Sequence, residues 1–212
     1  MHVEYIQHYK KYISGDLLDA GCGEKPYSLI YKDLVDSYIG CDVETCVHEQ
    51  TYVDVFVTVD ELPFANDAFD TILCTNVMEH VSNAEKGFSE LSRCLKSGGY
   101  LLVSTPFLYP LHEAPYDFYR YTVYGLKYQL EKNGMEIVNI NSQGGFGILV
   151  VVYFNLILTR VLKVSLIAKI SCAMQKVFMY LYMKIYNERM FRELSGIRAI
   201  LSCGYFIVAK KI

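Results

Sequence analysis

Short apolar runs bounded by turn-forming residues recur along the first half of the chain, each about the length of a buried strand. The candidates are Asp16–Ala20, Ser37–Asp42, Tyr52–Val57, Phe69–Thr75 and Gly99–Thr105. Between the last two the period changes: in Ser82–Lys96, Phe88, Leu91 and Leu95 recur at helical spacing, and Ser97, Gly98 and Gly99 are expected to stop the helix. Strands alternating with helices predict an α/β fold built on a parallel sheet. Two further strands, Glu136–Asn141 and Gly204–Lys210, follow towards the C-terminus.

Those last two strands are separated by about sixty residues, where a hairpin loop would need only a few. The intervening segment, from Gly144 to about Ser202, is rich in Val, Leu, Ile, Met and Tyr and predicts a mainly helical insert. Phe146–Thr159 carries no charge, but Arg160 and Lys163 interrupt the run before it reaches the roughly twenty residues of a membrane span. Farther on, Lys169, Lys176 and Lys184 fall within about 80° of a helical wheel, an amphipathic pattern. Such a helix could cap a pocket, touch an anionic membrane surface through residues 146–190, or form a homodimer. The expected organisation is one domain of residues 1–145 and 202–212, interrupted by an insert of residues 146–201.

Composition narrows the class of protein. A chain of 212 residues, 52% hydrophobic and 20% charged, is long enough for one well-buried core. Its net charge of −3 gives no electrostatic reason to expect a nucleic-acid partner. The seven cysteines are odd in number and lack C-x-x-C spacing, so they read as free, mostly buried thiols of a reducing compartment. Met1-His2-Val3-Glu4-Tyr5 lacks the charged lead and apolar block of a signal peptide, and a cytoplasmic location is expected, with contact at the inner membrane face left open.

The first strand runs into Asp19-Ala20-Gly21-Cys22-Gly23, a glycine turn at the strand end where open α/β sheets bind ligands. The dinucleotide fingerprint G-x-G-x-x-G would need a third glycine where Pro26 stands, and no G-x-x-x-x-G-K-[ST] phosphate loop is present. NAD, FAD and nucleoside triphosphates are therefore disfavoured. The remaining pattern, Asp19-x-Gly21-x-Gly23, resembles motif I of the class I S-adenosylmethionine-dependent methyltransferases. An acidic side chain beside the loop complements a cofactor that carries a sulfonium and an amino acid moiety.

Three downstream segments extend the resemblance in the same order. Asp42 ends the second strand about twenty residues after the loop, where a carboxylate can accept both ribose hydroxyls or simply cap a turn. Asp60-Glu61-Leu62-Pro63-Phe64 with Phe69-Asp70 is similar to the family's L-P-F…F-D segment, which places Asp60, Glu61 and Leu62 towards the adenine. Asn76-Val77-Met78-Glu79-His80-Val81 matches the segment that floors the family's cofactor pocket. By this resemblance the cofactor-binding residues are Asp19, Gly21, Cys22, Gly23, Asp42, Val43, Asp60, Glu61, Leu62, Asn76 and Val77. The fold implied is Rossmann-like, a mostly parallel seven-stranded sheet with an antiparallel last strand and a helical insert before it.

After the fifth strand comes a loop dense in aromatic and polar residues, His112-Glu113-Ala114-Pro115-Tyr116-Asp117-Phe118-Tyr119-Arg120-Tyr121-Thr122. It resembles a segment of type 11-like methyltransferases encoded in bacterial polysaccharide and cell-surface glycan gene sets. His112 is the candidate base, with Glu113 or Asp117 orienting it; Tyr116, Tyr119, Arg120 and Tyr121 are candidates for holding the acceptor. The alternative is structural, with Asp117 and Arg120 paired across the loop and His112 capping it. The resulting expectation is an enzyme without a metal, transferring methyl from S-adenosyl-L-methionine to a sugar or lipid-linked glycan acceptor. A quinone-like hydrophobic acceptor and a catalytically silent cofactor-fold binding module are the other two readings.

Overall fold

The computed structural model describes residues 2–44, 50–157 and 201–212. Its sheet contains β1 (Gly15–Ala20), β2 (Val35–Asp42), β3 (Val55–Phe56), β4 (Phe69–Thr75), β5 (Leu95–Pro106), β6 (Met135–Gln143) and β7 (Gly204–Lys211). The order across it is β3-β2-β1-β4-β5-β7-β6. Strands β1 to β5 pair in parallel, and β7 runs antiparallel between β5 and β6. The expected seven-stranded α/β sheet with an antiparallel last strand is thus present.

Alternation along the strands divides the core into two faces, as the period of two requires. Leu18, Ile72, Leu101, Val103 and Ile207 pack with the apolar sides of α3 (Ala84–Cys94) and α4 (Val123–Lys132). Leu17, Leu73, Leu102, Phe206 and Val208 point the other way, onto Tyr5, Ile6 and Tyr9 of α1 (His2–Tyr9). The Tyr5 and Tyr9 rings stack on Phe206 at 5.1 and 5.8 Å. Tyr5 also donates to the Ser142 carbonyl at 2.8 Å, and Tyr9 donates to Asn141. The sequence pattern did not single out α1, whose eight residues bury only Tyr5, Ile6 and Tyr9. A short turn of helix, α2 (Ser28–Tyr31), follows the glycine loop.

Local chemistry explains the element ends. Asn83 accepts from the Lys86 N–H at the start of α3, and Thr122 does the same for Gly125 at the start of α4. The helix expected to reach Lys96 stops at Cys94, because Leu95 already pairs with Phe69 as the first residue of β5. Gly98 and Gly99 therefore lie within a strand, where a Cβ on Gly99 would come within 2.7 Å of the Asp70 carbonyl oxygen. The third strand is only Val55–Phe56, since Gln50–Tyr52 form a 3-10 turn.

Gly145 leads into α5 (Phe146–Leu156), the described part of the insert, whose Ile148 and Leu149 pack with Cys203. Residues 158–200, with the expected amphipathic helix, lie outside the described residues, as do Cys46 and Cys172. The five described cysteines are free and buried. Among the described residues no helix is long and apolar enough to cross a membrane.

Phe206 ties α1 to the sheet centre, so Phe206→Ala is expected to cost about 3–5 kcal/mol. Urea unfolding should show a lower midpoint at unchanged slope; an unchanged midpoint would mean that α1 does not depend on this contact.

Candidate active site

The carboxyl ends of β1, β2 and β4 meet at the glycine loop. Gly21 has φ +78°, and a Cβ there would lie 2.1 Å from Val77 Cγ2, so both the backbone angle and the contact require glycine. The Gly21 and Cys22 N–H groups both donate to the Cys41 carbonyl, at 2.8 and 3.0 Å, which fixes the turn against the end of β2. Lys25, at φ +51°, occupies the left-handed region without being glycine. Its Nζ reaches Asp54 at 2.6 Å and lies over the Tyr38 ring, while Asp54 also accepts the Gly40 N–H at 2.7 Å. The loop is thus fastened to the strand beside it.

Asp42 presents a carboxylate at the end of β2. One oxygen accepts the Gly23 N–H at 2.9 Å and the other accepts the Val43 N–H at 2.7 Å. Two donors fix the plane of the group while leaving further lone pairs free. Asp19 is different. It is 1% exposed beneath the loop, where it accepts from the Tyr38 and Tyr31 hydroxyls at 3.2 and 3.3 Å. Burial raises its pKa to about 6 despite those two donors.

Across the cleft, Asn76 follows β4 at φ +55° and donates its N–H to the Ser104 carbonyl at 2.9 Å. Its side chain accepts from Ser104 Oγ at 3.2 Å and stands 3.3 Å from His2 Nε2. His2 arrives from α1, and burial lowers its pKa to about 4, so it is neutral. Asp60 lies on the 3-10 turn Val59–Glu61 and lines the cleft together with Thr58. Glu61 points out to Lys86 at 3.0 Å, and Leu62 is buried with its carbonyl taken by Arg93.

These groups border a cleft of about 1000 Å³ that runs from the glycine loop past Asp42 and Asn76 to His112, Glu113 and Tyr116. Ile148 and Val152 of α5 give it an apolar wall. Gln143, 3% exposed, also lines it, and its Nε2 has no hydrogen-bond partner. Of the residues expected to hold cofactor, Gly21, Cys22, Gly23, Asp42, Val43, Asp60, Asn76 and Val77 line the cleft; Asp19, Glu61 and Leu62 do not. His2, Tyr27, Thr58 and Gln143 also line it and were not picked out from sequence. A lone polar residue at such positions carries no periodic signal for such a role.

The loop after β5 is held by an internal ion pair. All five Arg120 N–H positions have oxygen partners: Asp117 twice, at 2.5 and 2.6 Å, and the carbonyls of Tyr109, Pro110 and Tyr119. Burial acts to raise the Asp117 pKa, but Arg120 and the His112 N–H outweigh it and hold the carboxyl at about 2. Tyr119 donates to the Ser82 carbonyl at 2.8 Å, and Tyr121 is buried against Phe88 with its hydroxyl on the Met78 carbonyl. Of the expected acceptor contacts only Tyr116 lines the cleft; Arg120 spends its N–H groups within the loop, and Tyr119 and Tyr121 spend their hydroxyls on the Ser82 and Met78 carbonyls. Of the expected catalytic groups, His112 and Glu113 line the cleft. Asp117 sits behind His112, its Oδ2 3.2 Å from Nδ1.

Beside His112 lies His80, their rings edge to face at 4.9 Å, with His80 Nδ1 2.7 Å from the Tyr116 carbonyl. Glu79 is fully buried, its carbonyl accepting the Phe118 and Tyr119 N–H groups at 2.8 and 3.2 Å. Burial raises the pKa of its carboxyl to about 8, against smaller opposing effects of its own N–H and the Arg120 charge. Neither carboxyl oxygen makes a hydrogen bond to another residue.

Residues 18–103 match the family described as a methyltransferase domain. The chain is 33% identical over 88 residues to an uncharacterized protein of Methanocaldococcus jannaschii, covering 41% of this chain and 39% of that protein. It is 34% identical over 97 residues to a probable S-adenosylmethionine-dependent methyltransferase of Mycolicibacterium smegmatis, covering 43% and 38%. It is also 39% identical over 72 residues to the ubiquinone/menaquinone biosynthesis C-methyltransferase of Psychromonas ingrahamii, covering 32% and 28%. The chain therefore spans well under half the length of these curated relatives.

Among solved structures, a S-adenosylmethionine-dependent methyltransferase from Archaeoglobus fulgidus superposes with a TM-score of 0.60 at 18% identity, covering 99% of this chain and 93% of that one. The cyclase SpnF gives 0.62 at 19%, covering 99% and 80%. These likenesses show the fold. The family match over residues 18–103 and the order of the sheet agree with this methyltransferase fold.

Two outcomes test the geometry. Gly21→Ala places a methyl on Val77 and is expected to destabilise the fold by about 1–3 kcal/mol, read by thermal unfolding. For Asp19, the native pKa near 6 exceeds the unfolded value of about 3.9. The native state therefore holds the extra proton, and stability should fall by on the order of 2–3 kcal/mol as pH rises from 4 to 6. Asp19→Asn should flatten that slope; an identical slope in the variant would place the titrating group elsewhere.

Proposed function

We propose that the chain binds S-adenosylmethionine along the cleft and transfers its methyl group to a small-molecule acceptor bound against the His112–Tyr116 loop. The observation that carries this reading is the continuity of one cleft from the glycine loop and Asp42 to His112 and Tyr116. In this reading Asp42 accepts the ribose hydroxyls, Asp60 with Thr58 borders the adenine, and the Gly21–Gly23 backbone with Asn76 and Val77 borders the methionine portion. The buried Asp19 carboxyl beneath the loop favours the cationic end of the ligand.

The cofactor supplies an electrophilic methyl on sulfur, whose carbon–sulfur bond breaks with the electron pair remaining on sulfur. The protein's task is to align an acceptor atom and remove its proton. His112 suits that task. Its Nδ1 lies among Asp117, the Pro110 carbonyl and Arg120 Nη2, so Nε2 is the ring nitrogen left for an acceptor. Glu113, Tyr116 and Gln143 supply polar contacts for an acceptor. A sugar or lipid-linked glycan intermediate fits this polar side of the cleft. A quinone-like phenol is the second reading, supported by the apolar wall of Ile148 and Val152 and by the stretch shared with the ubiquinone/menaquinone C-methyltransferase. Membrane contact or dimer formation through the insert remains part of the proposal for residues 146–190.

Calorimetric titration with S-adenosylmethionine and S-adenosylhomocysteine tests the first half of the proposal. Asp42→Ala should weaken both by roughly 10–100-fold, while a folded wild type that binds neither would leave only a silent scaffold. Methyl-labelled cofactor incubated with cell extract tests the second half. Label in the glycan fraction supports the sugar reading, label in the quinone fraction supports the phenol, and cofactor binding without label in any small-molecule fraction would overturn methyl transfer to such acceptors. His112→Ala should lower turnover by about 10²–10⁴-fold with cofactor affinity unchanged.

A further inference from the structure

At the acceptor end of the cleft, Glu79, His80 and His112 each offer a ligand atom, and these atoms all lie within 4.8 Å of one another. We propose that they form a binding site for a divalent transition-metal ion, of the zinc or cobalt type. Two imidazoles and one carboxylate are a donor set that such ions take while keeping further positions open.

Three features beyond proximity support the assignment. Glu79 is fully buried, with neither carboxyl oxygen hydrogen-bonded to another residue. Leaving such a group buried without a partner is unfavourable, and His80 Nε2 lies 3.8 Å from its Oε1. The second feature is the arrangement of both histidines. His80 Nδ1 lies 2.7 Å from the Tyr116 carbonyl, and His112 Nδ1 lies 3.2 Å from Asp117 Oδ2. Protein oxygens thus face Nδ1 of both rings, with Arg120 Nη2 also 3.4 Å from that of His112, and a metal would be bound through Nε2, the arrangement in which a backbone carbonyl or carboxylate orients a metal-bound histidine. The third is location: both rings line the cleft, so a ligand could reach an ion held by them.

Bonds of about 2.0–2.1 Å set tetrahedral ligand atoms roughly 3.3 Å apart. The three side chains would need to close by at most about 1.5 Å, a movement within reach of small χ rotations. An ion there would occupy the Nε2 lone pair that His112 otherwise offers as base, and would itself hold an acceptor oxygen and favour loss of its proton to water. That catalytic role rests on the methyl-transfer reading, whereas binding of the ion does not.

The test uses untagged, chelator-stripped protein titrated with zinc chloride by calorimetry and with cobalt chloride by visible absorption. A single site per chain is expected. His112→Ala and His80→Ala should each weaken it by at least about tenfold, and Glu79→Gln, which preserves shape, should do the same. His8→Ala, an exposed histidine on α1, should leave it unchanged. Circular dichroism and retained S-adenosylhomocysteine binding establish that the variants are folded, and separate failure here from failure of the methyl-transfer reading. Absence of binding by either metal, or an affinity unchanged in folded His112→Ala and Glu79→Gln, would overturn the assignment; zinc held by cysteines would give the second result.

Discussion

The close packing of the Gly21 backbone on the Val77 side chain sets the geometry of the whole carboxyl edge of the sheet. From β1 the chain crosses first to β2 and β3 on one side, then returns to β4 and β5 on the other. The crevice opens where that direction reverses, as it does in doubly wound sheets generally. A side chain at position 21 would push the ends of β1 and β4 apart, and with them Asp42 from Asn76. Van der Waals contact at one point thus decides whether polar groups from three strands face the same space.

Around that point the charged groups divide into two sets. Asp19, Lys25 with Asp54, and Asp117 with Arg120 are engaged with protein partners and fix the loops. Asp42, Asp60, Glu113 and the two histidines at positions 80 and 112 border the cleft. The first set makes the second precise. Arg120, with every N–H engaged, holds the Asp117 carboxylate that in turn orients His112. Rigidity of this kind is what an alignment-driven reaction asks of its scaffold.

Much of this was legible in the sequence, for identifiable reasons. Apolar runs bounded by turn residues exposed the strands, because a strand buried on both faces, as Leu17 and Leu18 are, reads as a continuous apolar stretch. The glycine pair exposed the loop, because few other residues tolerate such a turn, and Asp42 was placed by its distance along the chain from Gly21. Less legible was the division of labour within His112–Thr122. Tyr119, Arg120 and Tyr121 have the composition of a binding surface, yet they bond to Ser82, Tyr109, Pro110 and Met78, partners distant in sequence or invisible to any local pattern. His2, brought to Asn76 by α1, was hidden for the same reason. The end of α3 was misplaced because a Gly-Gly pair marks a helix stop and a distorted strand equally well; Phe69 pairing with Leu95 decided between them.

The central claim is that one cleft holds S-adenosylmethionine with its ribose at Asp42 and its reactive end facing His112. A crystal structure of the complex with S-adenosylhomocysteine tests it most directly. The account predicts ribose hydroxyls within hydrogen-bonding distance of Asp42, the amino acid portion over Gly21–Gly23, and the sulfur on the side of the cleft bounded by His112 and Tyr116. Ligand bound elsewhere, or oriented with its sulfur away from His112, would contradict it.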